Sequence, residues 1–89
     1  MKPLRWSHEK NRWLQQTRGV SFEEVALHIE NDEILDVRSH PNTDRYPHQR
    51  IFVIELADYV YLVPFVEDDE SIFLKTIIPS RKAKKELGR

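Results

Sequence analysis

Cysteine is absent from the 89 residues. Disulfides, thiolate-bound zinc and cysteine nucleophiles are therefore excluded. There is no run of ~18 apolar residues, so no transmembrane helix is expected. Lys2 and Arg5 stand near the N-terminus, but no apolar stretch follows them. A secretory signal is not expected, and the cytoplasm is the expected compartment. Only two glycines occur, Gly19 and Gly88. Neither belongs to a phosphate-cradling loop or a dinucleotide fingerprint. No Ser-His-Asp arrangement has supporting spacing, and there is no repeat or low-complexity tract.

What is present fits one small α+β domain spanning residues 1–89. Charged residues make up 33% and hydrophobic residues 39%, too apolar for a disordered chain. The net charge of −1 hides alternating blocks. Residues 1–19 carry +4, residues 20–36 carry −6, and residues 37–50 carry +2. Residues 51–70 carry −6 and residues 71–89 carry +5. Such a chain can present a basic patch without a basic isoelectric point.

The periodicity predicts two helices followed by strands. Ser7 is a suitable cap for a first helix, with Glu9 near its positive end. Trp6, Trp13 and Leu14 are its apolar residues, and Trp6 is spaced to meet Lys10. Gly19 suits a left-handed stop. Ser21 and Glu24 read as a capping box, with Val20 and Val25 at the staple positions. Phe22, Val25, Ala26 and Ile29 then mark one buried face. Ile34, Leu35 and Val37 suggest a strand, and residues 39–49 a loop. Residues 50–56 and 59–66 read as a hairpin turning at Ala57-Asp58, despite the lack of glycine. Pro64 implies an edge or a bulge. Residues 71–78 read as a last strand, with Ile72, Leu74, Thr76 and Ile78 on one side and Phe73, Lys75 and Ile77 on the other. Residues 80–89 read as a basic tail with one short helical turn. The expected architecture is two N-terminal helices on an antiparallel sheet of about four strands, with the second face partly open.

Two stretches resemble a known family. Trp6, Lys10 and the run Gly19-Val20-Ser21-Phe22-Glu23 resemble the opening of BrnT-type toxins. The run Ile77-Ile78-Pro79-Ser80-Arg81-Lys82-Ala83 resembles their closing Ile-Ile-Ser-Ala-Arg-Lys-Ala stretch. Arg50, opening a strand after a polar loop, falls where that family has an Arg. The resemblance implies a RelE/ParE-like fold and a bacterial type II toxin–antitoxin module. It implies a metal-independent endoribonuclease without a cofactor, acting on mRNA. It also implies a neutralising DNA-binding antitoxin encoded next door. The sequence departs from the family at five places. Ser7 replaces its Asp, Leu14 its helix Asn, Arg18 its His, Glu55 a Gly and Lys84 a Thr.

Metal-free RNA cleavage needs a base or aligner for the 2′-hydroxyl, cations for the phosphorane and an acid for the leaving 5′-oxygen. Arg81 and Arg50 are the expected charge stabilisers, because a guanidinium matches two phosphate oxygens. They are expected to converge with Lys82 and Lys85, which would contact the RNA backbone together with Lys84. The alternative is a solvated basic tail. The acid or base is open among His48, Tyr46, Tyr61 and Glu86. His48 is favoured because histidine is the side chain suited to moving a proton near neutral pH, against simple exposure in a loop. Tyr59 and Tyr61 alternate onto one sheet face as candidate base-stacking residues, against half-buried sheet aromatics, and Tyr46 joins Tyr61 among the expected RNA contacts. His40, Asp44 and His48 have metal-like spacing only on a helix, and Pro41 and Pro47 argue for a loop, so no metal site is expected. The competing function is a non-catalytic protein- or RNA-binding domain of the same fold. A structural or ribosome-associated role is a third. The expected partners are RNA and the antitoxin, with no membrane, and self-association is left open.

Overall fold

The computed structural model describes residues 2–89. Its first half follows the capping signals. Ser7 caps helix α1 (His8–Arg18) by accepting from the Lys10 amide, and Gly19 ends the helix at φ 68°. That conformation is cheap only without a Cβ. Ser21 caps helix α2 (Phe22–Glu30) in a complete capping box with Glu24. Asn11 joins the two helices while almost fully buried. Its Oδ1 accepts from the Phe22 amide at 2.8 Å, and its Nδ2 donates to Glu23 at 2.7 Å. The Phe22 amide is one of the first-turn donors that a helix cannot satisfy itself.

The tryptophans exchange the roles expected of them. Trp6 stacks on Phe22, with ring centroids 5.7 Å apart, and packs against the core. Trp13 is 42% exposed, and Lys10 lies 4.3 Å from its ring rather than over Trp6. Lys10 and Trp13 are three residues apart on one helix face, whereas Trp6 precedes the helix.

The chain is mixed α+β, with three helices and six strands among the described residues. The strands are β1 (Leu4–Arg5), β2 (Asp36–Ser39), β3 (Gln49–Leu56), β4 (Tyr59–Glu67), β5 (Ile72–Leu74) and β6 (Ile78–Pro79). They run in the order β1-β5-β4-β3-β2, with β6 also on β4. The expected four-stranded antiparallel meander is therefore corrected. β1 is a two-residue strand pairing parallel to β5, too short to leave a periodic signal. Lys2 anchors it by pairing with Glu67 at 2.8 Å. β2 begins later than expected, at Asp36, because Ile34 and Leu35 lead into it as half-buried packing residues. The β3–β4 turn is as expected, with Leu56 facing Tyr59 and with Ala57 and Asp58 at φ 51° and 65°.

The last expected strand, residues 71–78, is broken at residues 75–77. The cause is Pro64, which stands inside β4 at neither an edge nor a bulge. Its carbonyl accepts from the Lys75 amide at 2.8 Å. The N and C=O of one strand residue point the same way, so the missing Pro64 donor falls where the neighbouring strand parts into β5 and β6. The break also resets the alternation. Ile72, Leu74 and Ile77 are buried, while Phe73 and Ile78 are exposed.

The tail is a third helix, α3 (Arg81–Glu86). Ser80 caps it by accepting from the Ala83 amide at 3.1 Å. Ala83 and Leu87, four apart, pack on Val53 and Val60. The two sheet faces are thus covered unequally. The first face carries Phe52, Ile54, Leu56, Val63 and Phe65, which form the main core with α1 and α2. The second face carries Val53, Val60 and Leu62 under α3. α3 is only six residues long, so the half of this face towards β5 stays uncovered.

Candidate nucleic-acid interface

The uncovered half of the second face can be read along the pairing register. One row runs Arg5, Phe73, Val66, Gln49 across β1, β5, β4 and β3. The next runs Pro64, Ile51, Arg38 across β4, β3 and β2. These rows hold two arginines and no acid. Phe73 is 42% exposed and Val66 37%.

Shallow clefts border the floor. One of about 240 Å³ lies against α3, with Ile51, Leu62 and Pro41 as apolar lining and Arg38, Lys82 and Glu86 as charged lining. A second, of about 210 Å³, is formed by Arg45, Tyr46, Pro47, His48, Gln49 and Val66. A third, of about 370 Å³, lies at the β1 edge between Leu4, Arg5, Trp6, His8 and Phe73. Each pairs apolar or aromatic surface with at least one exposed cation, a combination suited to bases and phosphates.

The acids of the sheet are turned elsewhere or already engaged. Asp36 and Glu86 both accept from Arg38, at 3.0 and 3.2 Å. The hydrogen bond from Arg38 and that from the Val37 amide hold the Asp36 carboxyl below the usual aspartate range. Glu55 pairs with Arg89 at 3.3 Å. Glu67 shares the first face with Ile72.

The expected site residues separate into two groups. Arg50 pairs in register with Phe65, a first-face core residue, and lies 5.8 Å from its ring. It therefore points to the opposite face from α3, and the expected convergence of Arg50 with Arg81 and Lys82 does not occur. An odd-numbered β3 position was required, and Arg50 is even. Around Arg50 a cleft of about 330 Å³ is lined by Lys2 and His48 but also by Glu67, Asp68 and Asp69. Tyr61 is likewise on the first face, packed against the core and edge-on to Tyr59 at 5.8 Å.

The second group borders the open floor. Lys82 lines the α3 cleft, and Arg81 and Lys85 are exposed on the same helix. Lys84 is turned away, its Nζ donating to the Asp58 carbonyl at 2.9 Å. Tyr46 and His48 sit at the entry to β3, where His48 borders clefts on both faces. The loop before β3 is shaped by His40, whose ring accepts from the Asn42 amide and lies 4.5 Å from that of Tyr46. Sequence reasoning missed Arg5, Arg38 and Phe73. Arg38 carried a legible signal, as a lone base two residues from Asp36 in a strand. Arg5 and Phe73 depend on the parallel pairing of β1 with β5, which has no sequence signature.

Comparisons with protein-family models, curated proteins and solved structures find no match to this chain.

Proposed function

We propose that the chain is a metal-independent endoribonuclease toxin of a type II toxin–antitoxin pair, similar to BrnT-type proteins. RNA lies across the open half of the second sheet face. The observation that carries this reading is the pair of open rows on that face, which hold no acid and are bordered by Arg5, Arg38, Arg45 and Lys82, with the neighbouring Glu86 tied to Arg38. RNA supplies the complementary charge, and its unstacked bases supply flat faces for the apolar floor.

The reaction is attack of a 2′-oxygen on the adjacent phosphorus with departure of the 5′-oxygen. Arg81 and Lys82 neutralise the charge that builds on the phosphorane oxygens. Arg38 supplies a third cation, since its ties to Asp36 and Glu86 are surface ion pairs that a phosphate can displace at small cost. His48 and Tyr46, at the edge of the floor, are the candidates for proton transfer. Arg50 has no part in this step. The partner is a small antitoxin encoded next door, which neutralises the toxin by covering the same face and α3.

Induced expression in a bacterial host, with primer extension on total RNA, tests the reading. Growth arrest with discrete new 5′ ends, both lost in Arg81→Ala, is the expected result. Normal growth with intact RNA sinks it. One observation favours the second reading, a non-catalytic binding domain. Arg50 and Arg81, the two expected charge stabilisers, stand on opposite faces of the sheet.

A further inference from the structure

We propose that Phe73 and Arg5 form a base-stacking subsite for single-stranded RNA on the second sheet face. The inference rests on the reading of that face as RNA-binding and names residues that neither the motif nor the tail supplies. Phe73 is the middle residue of β5, between buried Ile72 and Leu74. Strand alternation makes it the solvent-facing position, where a polar residue is usual. A phenyl ring stands there instead, 42% exposed, beside the exposed Val66. Its partner on the other side is Arg5, which has no ion pair among the described residues.

The chemistry of the neighbours selects the occupant. The exposed ring is not part of a continuous apolar patch, because its row ends in Arg5 on one side and Gln49 on the other. A nucleobase needs one flat ring to stack on, a planar cation beside it and polar groups for its edges. Phe73, Arg5 and Gln49 provide these in one row. The cleft beside Phe73 holds no carboxylate, and His8 adds a further nitrogen base to its lining. The charge is complementary to the phosphate that joins one base to the next.

The test uses the full chain and a fluorescently labelled 2′-O-methyl oligouridine, whose blocked 2′-oxygen prevents cleavage, with anisotropy as the readout. Phe73→Leu keeps an apolar strand residue but removes the ring, and weakens binding about tenfold or more. Phe73→Trp retains or tightens binding. Arg5→Ala also weakens binding and makes it less salt-dependent. Because Phe73 and Arg5 are both exposed, their variants should melt with the parent, and matched melting curves confirm this. Equal affinities for the parent and Phe73→Leu, or no binding by the parent, overturn the subsite. The growth-arrest assay fails separately. Phe73-dependent binding without RNA cleavage removes the nuclease reading and leaves the subsite. Cleavage with unchanged Phe73→Leu affinity does the reverse.

Discussion

Asn11 ties helix α1 to the start of helix α2 through a buried side chain. It is 6% exposed, it satisfies the Phe22 amide, and it donates to Glu23. Asn11→Ala strands a buried backbone donor and removes two hydrogen bonds at once. A loss of about 2–4 kcal/mol is expected, read from urea unfolding. Asn11→Asp tests the direction of the amide. It keeps the acceptor for Phe22 but sets a carboxylate against Glu23, so its stability should recover only as acid protonates the pair. Ala57 offers the opposite case. It holds φ 51° in the hairpin, where a Cβ costs roughly 1 kcal/mol. Ala57→Gly relieves that strain but loosens the unfolded chain, so Asn at this position is the better choice. Ala57→Asn is expected to raise the melting temperature by a few degrees.

At the scale of elements, the turn between β4 and β5 depends on ionisation of Asp68. Its carboxylate accepts from the amides of Ser71 and Glu70, both at 2.8 Å. The bond from Ser71, then that from Glu70, holds the carboxyl below the usual aspartate range. A depressed folded-state value means that the stabilisation is complete above the ordinary aspartate value. It is lost as pH falls through the depressed one. The Glu70 and Ser71 amide resonances should therefore titrate together at a midpoint below that of a free aspartate, and Asp68→Asn should abolish the transition. How much of each element the sequence disclosed follows from how local its cause is. The caps of α1 and α2, the Gly19 stop and the two-residue hairpin depend on neighbours within a few positions, and all were legible. The break in the last strand depends on Pro64, about ten residues away in sequence and adjacent only in the sheet. The packing of Ala83 on Val53 and Val60 is equally non-local, so α3 read as a basic tail with one short turn rather than as a helix docked on the sheet. Undocking that helix is the corresponding experiment. Ala83→Asp places a charge against an apolar floor, and amide exchange should rise in residues 81–87 and in Val60, while α1 and α2 stay protected.

For the whole molecule, the decisive property is how cations are distributed, since a net charge of −1 predicts little affinity for RNA. The basic blocks of the sequence do not form one surface. Lys10 and Arg18 gather around exposed Trp13 on α1, and Arg50 faces the acidic Glu67–Asp69 turn on the first face. Arg5, Arg38 and Lys82 border the second. The sequence disclosed the charge blocks but not this partition, because the side on which a strand residue falls changes with every one-residue shift of register. Salt dependence measures the partition directly. For single strands the slope of log affinity against log salt is about −0.7 per phosphate neutralised. Removing a cation that touches the backbone should flatten the slope by about that amount, while removing a distant cation, whose field is screened, changes affinity and slope only slightly. Arg38→Gln and Lys82→Gln should each flatten it, and their double variant should do so roughly additively. Lys10→Gln, Arg18→Gln and Arg50→Gln should not. Flattening by Arg50→Gln with no effect of Lys82→Gln would move the RNA to the first face and remove α3 from the site.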